Sequence, residues 1–115
     1  MQIDIQARGF KVSKELRHSI QKRVHHSFRF QKRRVRKVIV RLFSTVGSHG
    51  KKIKSCRVQA VVSGIPQLVT EKKSESLLEA VSSSISTSSH SVSKHLQKFR
   101  RFRHVQLQTT NRSFA

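Results

Sequence analysis

From Leu16 to Thr70 the chain contains no Asp or Glu, yet it carries fourteen Lys or Arg. The densest part is Lys22 to Arg41, KRVHHSFRFQKRRVRKVIVR, where nine of twenty residues are Lys or Arg. Like charges this close repel one another and weaken a compact state. Val24, Phe28, Val35, Val38, Ile39 and Val40 lie inside the same stretch. A disordered basic arm would lack such residues, so the stretch is expected to fold and to meet a polyanion.

The rest of the composition agrees. The formal net charge is +20, from 25 Lys and Arg against 5 Asp and Glu in 115 residues. A field this positive favours nucleic acid or an anionic membrane surface. The length suits one domain with one modest core. No apolar run reaches the roughly 18 residues that a membrane span needs, and the start lacks the apolar stretch of a secretory signal. Cys56 stands alone, so no internal disulfide is expected, and its setting suggests a small buried hydrophobe. These features point to a bacterial or organellar interior.

Gln2 to Ala7 alternates, with Ile3, Ile5 and Ala7 on one face, as a half-buried strand does. Gly9 closes it with a turn. Ser13 is a good N-cap, and Glu15 suits the first turn of the helix that follows. Leu16, Ile20, Val24 and Phe28 recur every four residues and form its apolar stripe. The opposite face carries His18, Lys22, His25, His26 and Arg29. Gln31 to Arg34 reads as a loop.

Alternation around Val38, Val40 and Leu42 predicts a second strand, and Cys56, Val58, Ala60 and Val62 predict a third. Ser44 to Lys52 forms the hairpin tip between them. Ser63-Gly64-Ile65-Pro66 reads as a tight turn into a fourth strand, Gln67 to Lys72. Ser74 is expected to open the last helix, with the stripe Leu78, Val81, Ile85, Val92, Leu96 and Phe99. Eight of the twelve residues from Ser82 to Ser93 are serine. Serine is a mediocre helix former, and such a run resembles a linker. The apolar period persists through it, so a helix lying close on a sheet is the better reading.

The expected fold is therefore α+β, in the order β-α-β-β-β-α. It has a four-stranded sheet, an antiparallel meander in its last three strands, and two helices on one face. Residues 1–103 would form the single domain and 104–115 a loose tail.

These patterns resemble the ribosome hibernation-promoting factor family, which includes the ribosome-associated translation inhibitors. The resemblance rests on QIDIQARGFKVSKELRHSIQKRV at the start, RKVIVRLF in the second strand, and SESLLEAVSSSI with SKHLQKFRRF in the last helix. The family's opening strand, Gly-Phe pair and Ser/Thr-capped Leu-Arg-x-x-Ile helix correspond to Gly9, Phe10, Ser13, Leu16, Arg17 and Ile20. The order of patterns, over roughly residues 1 to 103, carries the likeness rather than any single motif. The first helix departs from the family in being nearly all basic, and the serine block is unusual for it.

The resemblance implies binding rather than catalysis. Family members occupy the mRNA and tRNA channel of the small ribosomal subunit, at the A and P sites, and idle ribosomes in starvation or stationary phase. It further implies a bacterial cytoplasmic location, a monomer off the ribosome, and a second hibernation factor as a further partner. The long form's C-terminal dimerisation domain is expected to be absent.

Phosphate neutralisation is the mechanism such a charge balance supports. The candidate RNA contacts are Lys22, Arg23, Arg29, Lys32, Arg33 and Arg34, then Lys94, Lys98, Arg101 and Arg103. Lys72 and Lys73 would hold a further phosphate at the start of the second helix. No cofactor or metal is expected. His18 and His25 lie two helical turns apart, about 10 Å by helix rise, too far to share one zinc. Glu71, Glu75 and Glu79 read as carboxylates favouring a helix N-terminus. Gly47-Ser48-His49-Gly50 matches the GXXG of the KH domain, but here it joins two strands rather than two helices.

Two rival readings have distinct signatures. A double-stranded-RNA-binding domain has the order α-β-β-β-α and a second helix opening on lysines, but no strand before its first helix. A membrane-surface protein would need an amphipathic helix with large exposed apolar residues, and both helices here need their stripes to cover a sheet.

Overall fold

The computed structural model describes the backbone of residues 1–47 and 49–113, and the side chains of 1–47 and 49–100. Its elements are β1 (Gln2–Arg8), α1 (Lys14–Ser27), β2 (Val35–Val46), β3 (Lys52–Val62), β4 (Leu68–Ser74) and α2 (Leu77–Ser113). The strands form one sheet in the order β1-β2-β3-β4. β1 runs parallel to β2, in the register Ile5 with Val40, and α1 bridges the two. The β2–β3 and β3–β4 pairs are antiparallel, so Val40 lies beside Val58 and Val58 beside Thr70. The sheet is thus mixed, and the fold is the α+β arrangement that the sequence order predicts.

Strand alternation sorts the side chains onto two faces. Ile5, Val38, Val40, Leu42, Cys56, Val58 and Ala60 are buried on the helix side. Ile20, Val24 and Phe28 of α1, and Val81, Ile85, Val92 and Leu96 of α2, complete one core with them. α1 starts as its sequence dictates: the Ser13 hydroxyl accepts from the Leu16 amide at 3.1 Å. Gly9 and Gly64 both take positive φ, +89° and +88°, in the two turns that needed it.

The serine run is helix, and its hydroxyls serve two faces. Ser84 and Ser88 are fully buried toward the sheet. Small side chains there let α2 pack against β3 and β4. The Ser84 hydroxyl satisfies itself on the Val81 carbonyl at 3.1 Å. Ser82, Ser89 and Ser93 face α1 instead. Ser82 accepts from Arg23, Ser89 donates to the Ser27 carbonyl, and Ser93 accepts from Gln31. These pairs advance in the same sense along both helices, so α1 and α2 run parallel.

Three boundaries differ from the sequence expectation. β2 and β3 are longer than expected, because their mutual ladder continues to Val46 and Lys52. β4 reaches Ser74 and α2 starts only at Leu77. Ser76, not Ser74, caps that helix, its hydroxyl accepting from the Glu79 amide at 3.4 Å. Leu78, expected in the core stripe, is 58% exposed, while Ala80 is buried. At the other end, α2 carries its backbone through Ser113, across residues expected as tail.

Candidate nucleic-acid interface

The parallel helices bring two separate basic segments to one end of the helical layer. The loop after α1 holds Arg29, Lys32 and Arg33, all exposed. The Gln31–Ser93 hydrogen bond ties this loop to α2. Further along α2, the Arg34 guanidinium lies 6.0 Å from the centre of the Phe99 ring. Lys94 and Lys98, exposed and four residues apart, share one face of α2 within this same segment. Lys22 is exposed on α1, on the side that also carries His18, His25 and His26. Cations at the C-terminal end of α1 also suit its dipole.

The other predicted contacts are placed differently. Arg23 reaches across to Ser82 and fastens α1 to α2. Arg34 is part of the fold: its Nη2 donates to the Ser63 carbonyl at 3.2 Å, while the Ser63 amide donates to the Arg34 carbonyl at 2.9 Å. Its guanidinium also lies near the Phe99 ring. Charge reversal at Arg34 would therefore disturb the fold as well as any binding. Arg101 and Arg103 lie on the α2 backbone, with side chains outside the described residues.

Lys72 and Lys73 do not sit at a helix N-terminus. They are strand residues of β4, beside Cys56 and Ser55 respectively. Neighbouring strand residues point to opposite faces, so the two cannot close on one phosphate. Glu71 is likewise in β4, 3.7 Å from Arg57 of β3, and Glu75 is 3.7 Å from Lys51. Only Glu79 of the three carboxylates is in the first turn of α2, where it accepts from the Ser74 hydroxyl at 3.1 Å.

Sequence reasoning passed over a second basic region on the open face of the sheet. Arg8, Arg41 and Arg57 line a shallow depression there of about 760 Å³ beside Phe43. The Arg57 guanidinium lies 5.9 Å from the Phe43 ring centre. The signal was present, since Arg41 and Arg57 alternate with core residues and pair directly across β2 and β3. It also passed over Phe30, which is 83% exposed among the loop cations.

Among the described residues no three His, Cys, Asp or Glu side chains cluster as metal ligands. Cys56 is buried, and desolvation pushes its thiol up, with the Ser84 hydroxyl opposing. A buried, protonated thiol is a poor nucleophile. Among the described residues no helix is long and apolar enough to cross a membrane.

The sequence matches no protein-family model and no curated protein. Solved structures do match. A ribosomal subunit interface protein from Coxiella burnetii superposes with a TM-score of 0.66 at 15% identity, over 88% of this chain and 99% of that one. The N-terminal domain of Protein Y from Thermus thermophilus superposes with a TM-score of 0.64 at 14% identity, over 83% of this chain and 99% of that one. The protein therefore has the fold of this pair, over most of this chain and nearly all of each of theirs.

Proposed function

We propose that this chain is a ribosome-binding member of the hibernation-promoting factor family. Its role is to seat on the small subunit and silence translation rather than to catalyse a reaction. What supports this is the Gln31–Ser93 hydrogen bond, which sets the loop of Arg29, Lys32 and Arg33 beside the α2 segment that carries the exposed Lys94 and Lys98. The fold that carries them is shared with a ribosomal subunit interface protein. Lys22 of α1 adds a further exposed cation, and Arg101 and Arg103 follow in sequence on α2. Arg23 and Arg34 support this surface from within, by holding the two helices and the loop together.

The binding mode follows from the charge. Lys and Arg on phosphates release condensed counterions, which gives affinity without reading sequence. Selectivity then comes from the shape of a folded RNA. The channel that holds mRNA and tRNA at the A and P sites is lined with such RNA. A protein seated there excludes both, and idles the ribosome in starvation or stationary phase. In this reading the protein is a bacterial cytoplasmic monomer when off the ribosome, a second hibernation factor is a further partner, and residues 1–103 form the binding domain.

Competition tests the reading. Small subunits saturated with the protein should lose binding of mRNA and initiator tRNA. Full simultaneous occupancy would refute the channel placement. β1 disfavours a general double-stranded-RNA-binding domain, because it adds a parallel edge strand ahead of α1 that the α-β-β-β-α order does not contain.

A further inference from the structure

Two phenylalanines in the run Phe28-Arg29-Phe30 have opposite environments. Phe28 is fully buried and closes the end of the α1 stripe. Phe30 is 83% exposed, more than Val46, Val69 or Leu78. Its ring is not left loose. The Arg29 guanidinium lies over it, 4.5 Å from the ring centre. Arg29 is itself held, since its Nη1 donates to the His26 carbonyl at 2.8 Å and lies 3.3 Å from His26 Nε2. The α1 C-terminus thus fixes a cation, and the cation fixes an aromatic face in solvent. Lys32 and Arg33 follow within three residues, both exposed.

An aromatic ring held in water among cations matches one chemistry well. Any nucleobase can stack on an aromatic face, and the phosphates on either side of that base need positive charge nearby. A paired base in a duplex has its faces covered by its neighbours, so the ligand must be unpaired. A lipid surface fits less well, because one ring without an adjoining apolar face buries little area. We propose that Phe30 is a stacking platform for one unpaired nucleotide of the bound RNA, with Arg29 ordering the ring and Lys32 and Arg33 on the adjoining phosphates. This rests on the reading that this end of the molecule meets RNA, and it adds a base-contacting residue to a surface otherwise built for phosphates.

The chain has no Trp and no Tyr, so Phe30→Trp gives a single emitter at the position in question. Two probes separate stacking from charge: a single-stranded oligoadenylate, and inorganic polyphosphate of matched length. Phe30→Trp should keep its affinity for oligoadenylate, which should quench its emission, and polyphosphate should leave the emission unchanged. Phe30→Ala and Phe30→Leu should both weaken oligoadenylate binding by about 5- to 150-fold, the range for losing one stacked base. Neither should alter the salt dependence, because no charge is removed.

Unchanged Phe30→Trp emission at saturating oligoadenylate would overturn the proposal. So would wild-type affinity in Phe30→Leu. Loss of small-subunit binding by Phe30→Ala with oligoadenylate binding intact would mean that the ring docks on protein, and would overturn it as well. The ribosomal reading fails separately: wild-type protein that ignores small subunits but stacks oligoadenylate removes that reading and leaves this one standing.

Discussion

Replacing Lys32 and Arg33 together by Gln separates binding from folding. Both side chains are exposed, and neither has a hydrogen-bond or ion-pair partner among the described residues. Removing two positive charges from a chain of net charge +20 relieves repulsion, so thermal stability should hold or rise slightly. Binding should suffer in a calculable way. Each phosphate contact contributes about 0.7 to 0.9 to the slope of log affinity against log salt. Losing two contacts should flatten that slope by about 1.4 to 1.8. Extrapolated to about 0.15 M salt, the same terms weaken binding roughly 10- to 30-fold.

Arg34 is the built-in comparison, one residue away. Arg34→Ala removes the hydrogen bond to the Ser63 carbonyl and the contact with Phe99. It should cost about 1–2 kcal/mol of stability, as for a partly buried charged hydrogen bond. Filter binding to small subunits over a salt series, with thermal melts of the same variants, reads both effects. A folded Lys32→Gln/Arg33→Gln protein with wild-type affinity and an unchanged slope would refute the placement of the interface at this loop.

Three further outcomes follow from the packing. Ser88→Leu should lose about 1–3 kcal/mol in chemical denaturation by overfilling the contact between α2 and the sheet; Ser88→Ala should hold or gain, as the better helix former. Gly64→Ala should cost more than about 1 kcal/mol, because φ is +88° and the new methyl would meet Arg34 Nη2 at 3.2 Å. Cys56 should resist thiol reagents until the protein unfolds. Burial raises its pKa in the folded state, so above the ordinary cysteine range the unfolded chain loses its proton first. Stability should then fall as pH rises, and Cys56→Ala should remove that component of the alkaline loss.

The first half of the chain was legible because its signals are local. Ile3 and Ile5 alternate, Ser13 caps, and Leu16, Ile20, Val24 and Phe28 repeat, all within a few residues of one another. The serine run was legible as helix from Val81, Ile85 and Val92, although its division between sheet and α1 depends on Arg23, Ser27 and Gln31 about sixty positions away. The β4–α2 junction misled because Glu71, Lys72, Lys73 and Ser74 have the composition of a helix start. Pairing with β3 decides otherwise, placing Glu71 beside Arg57. Arg34 looked like Lys32 and Arg33 for the same reason: its partners, Ser63 and Phe99, are remote in sequence. Phe30 sits among residues of loop character, and only its exposure and the guanidinium above it distinguish it from a core phenylalanine.

In the proposed function this basic surface is shaped for the small subunit rather than for polyanions in general. Cosedimentation with small subunits, large subunits and a generic RNA duplex across one salt series tests it most directly. The protein should stay on small subunits at salt concentrations that strip it from the duplex and the large subunits. Parallel loss from all three would contradict it and leave a general RNA binder.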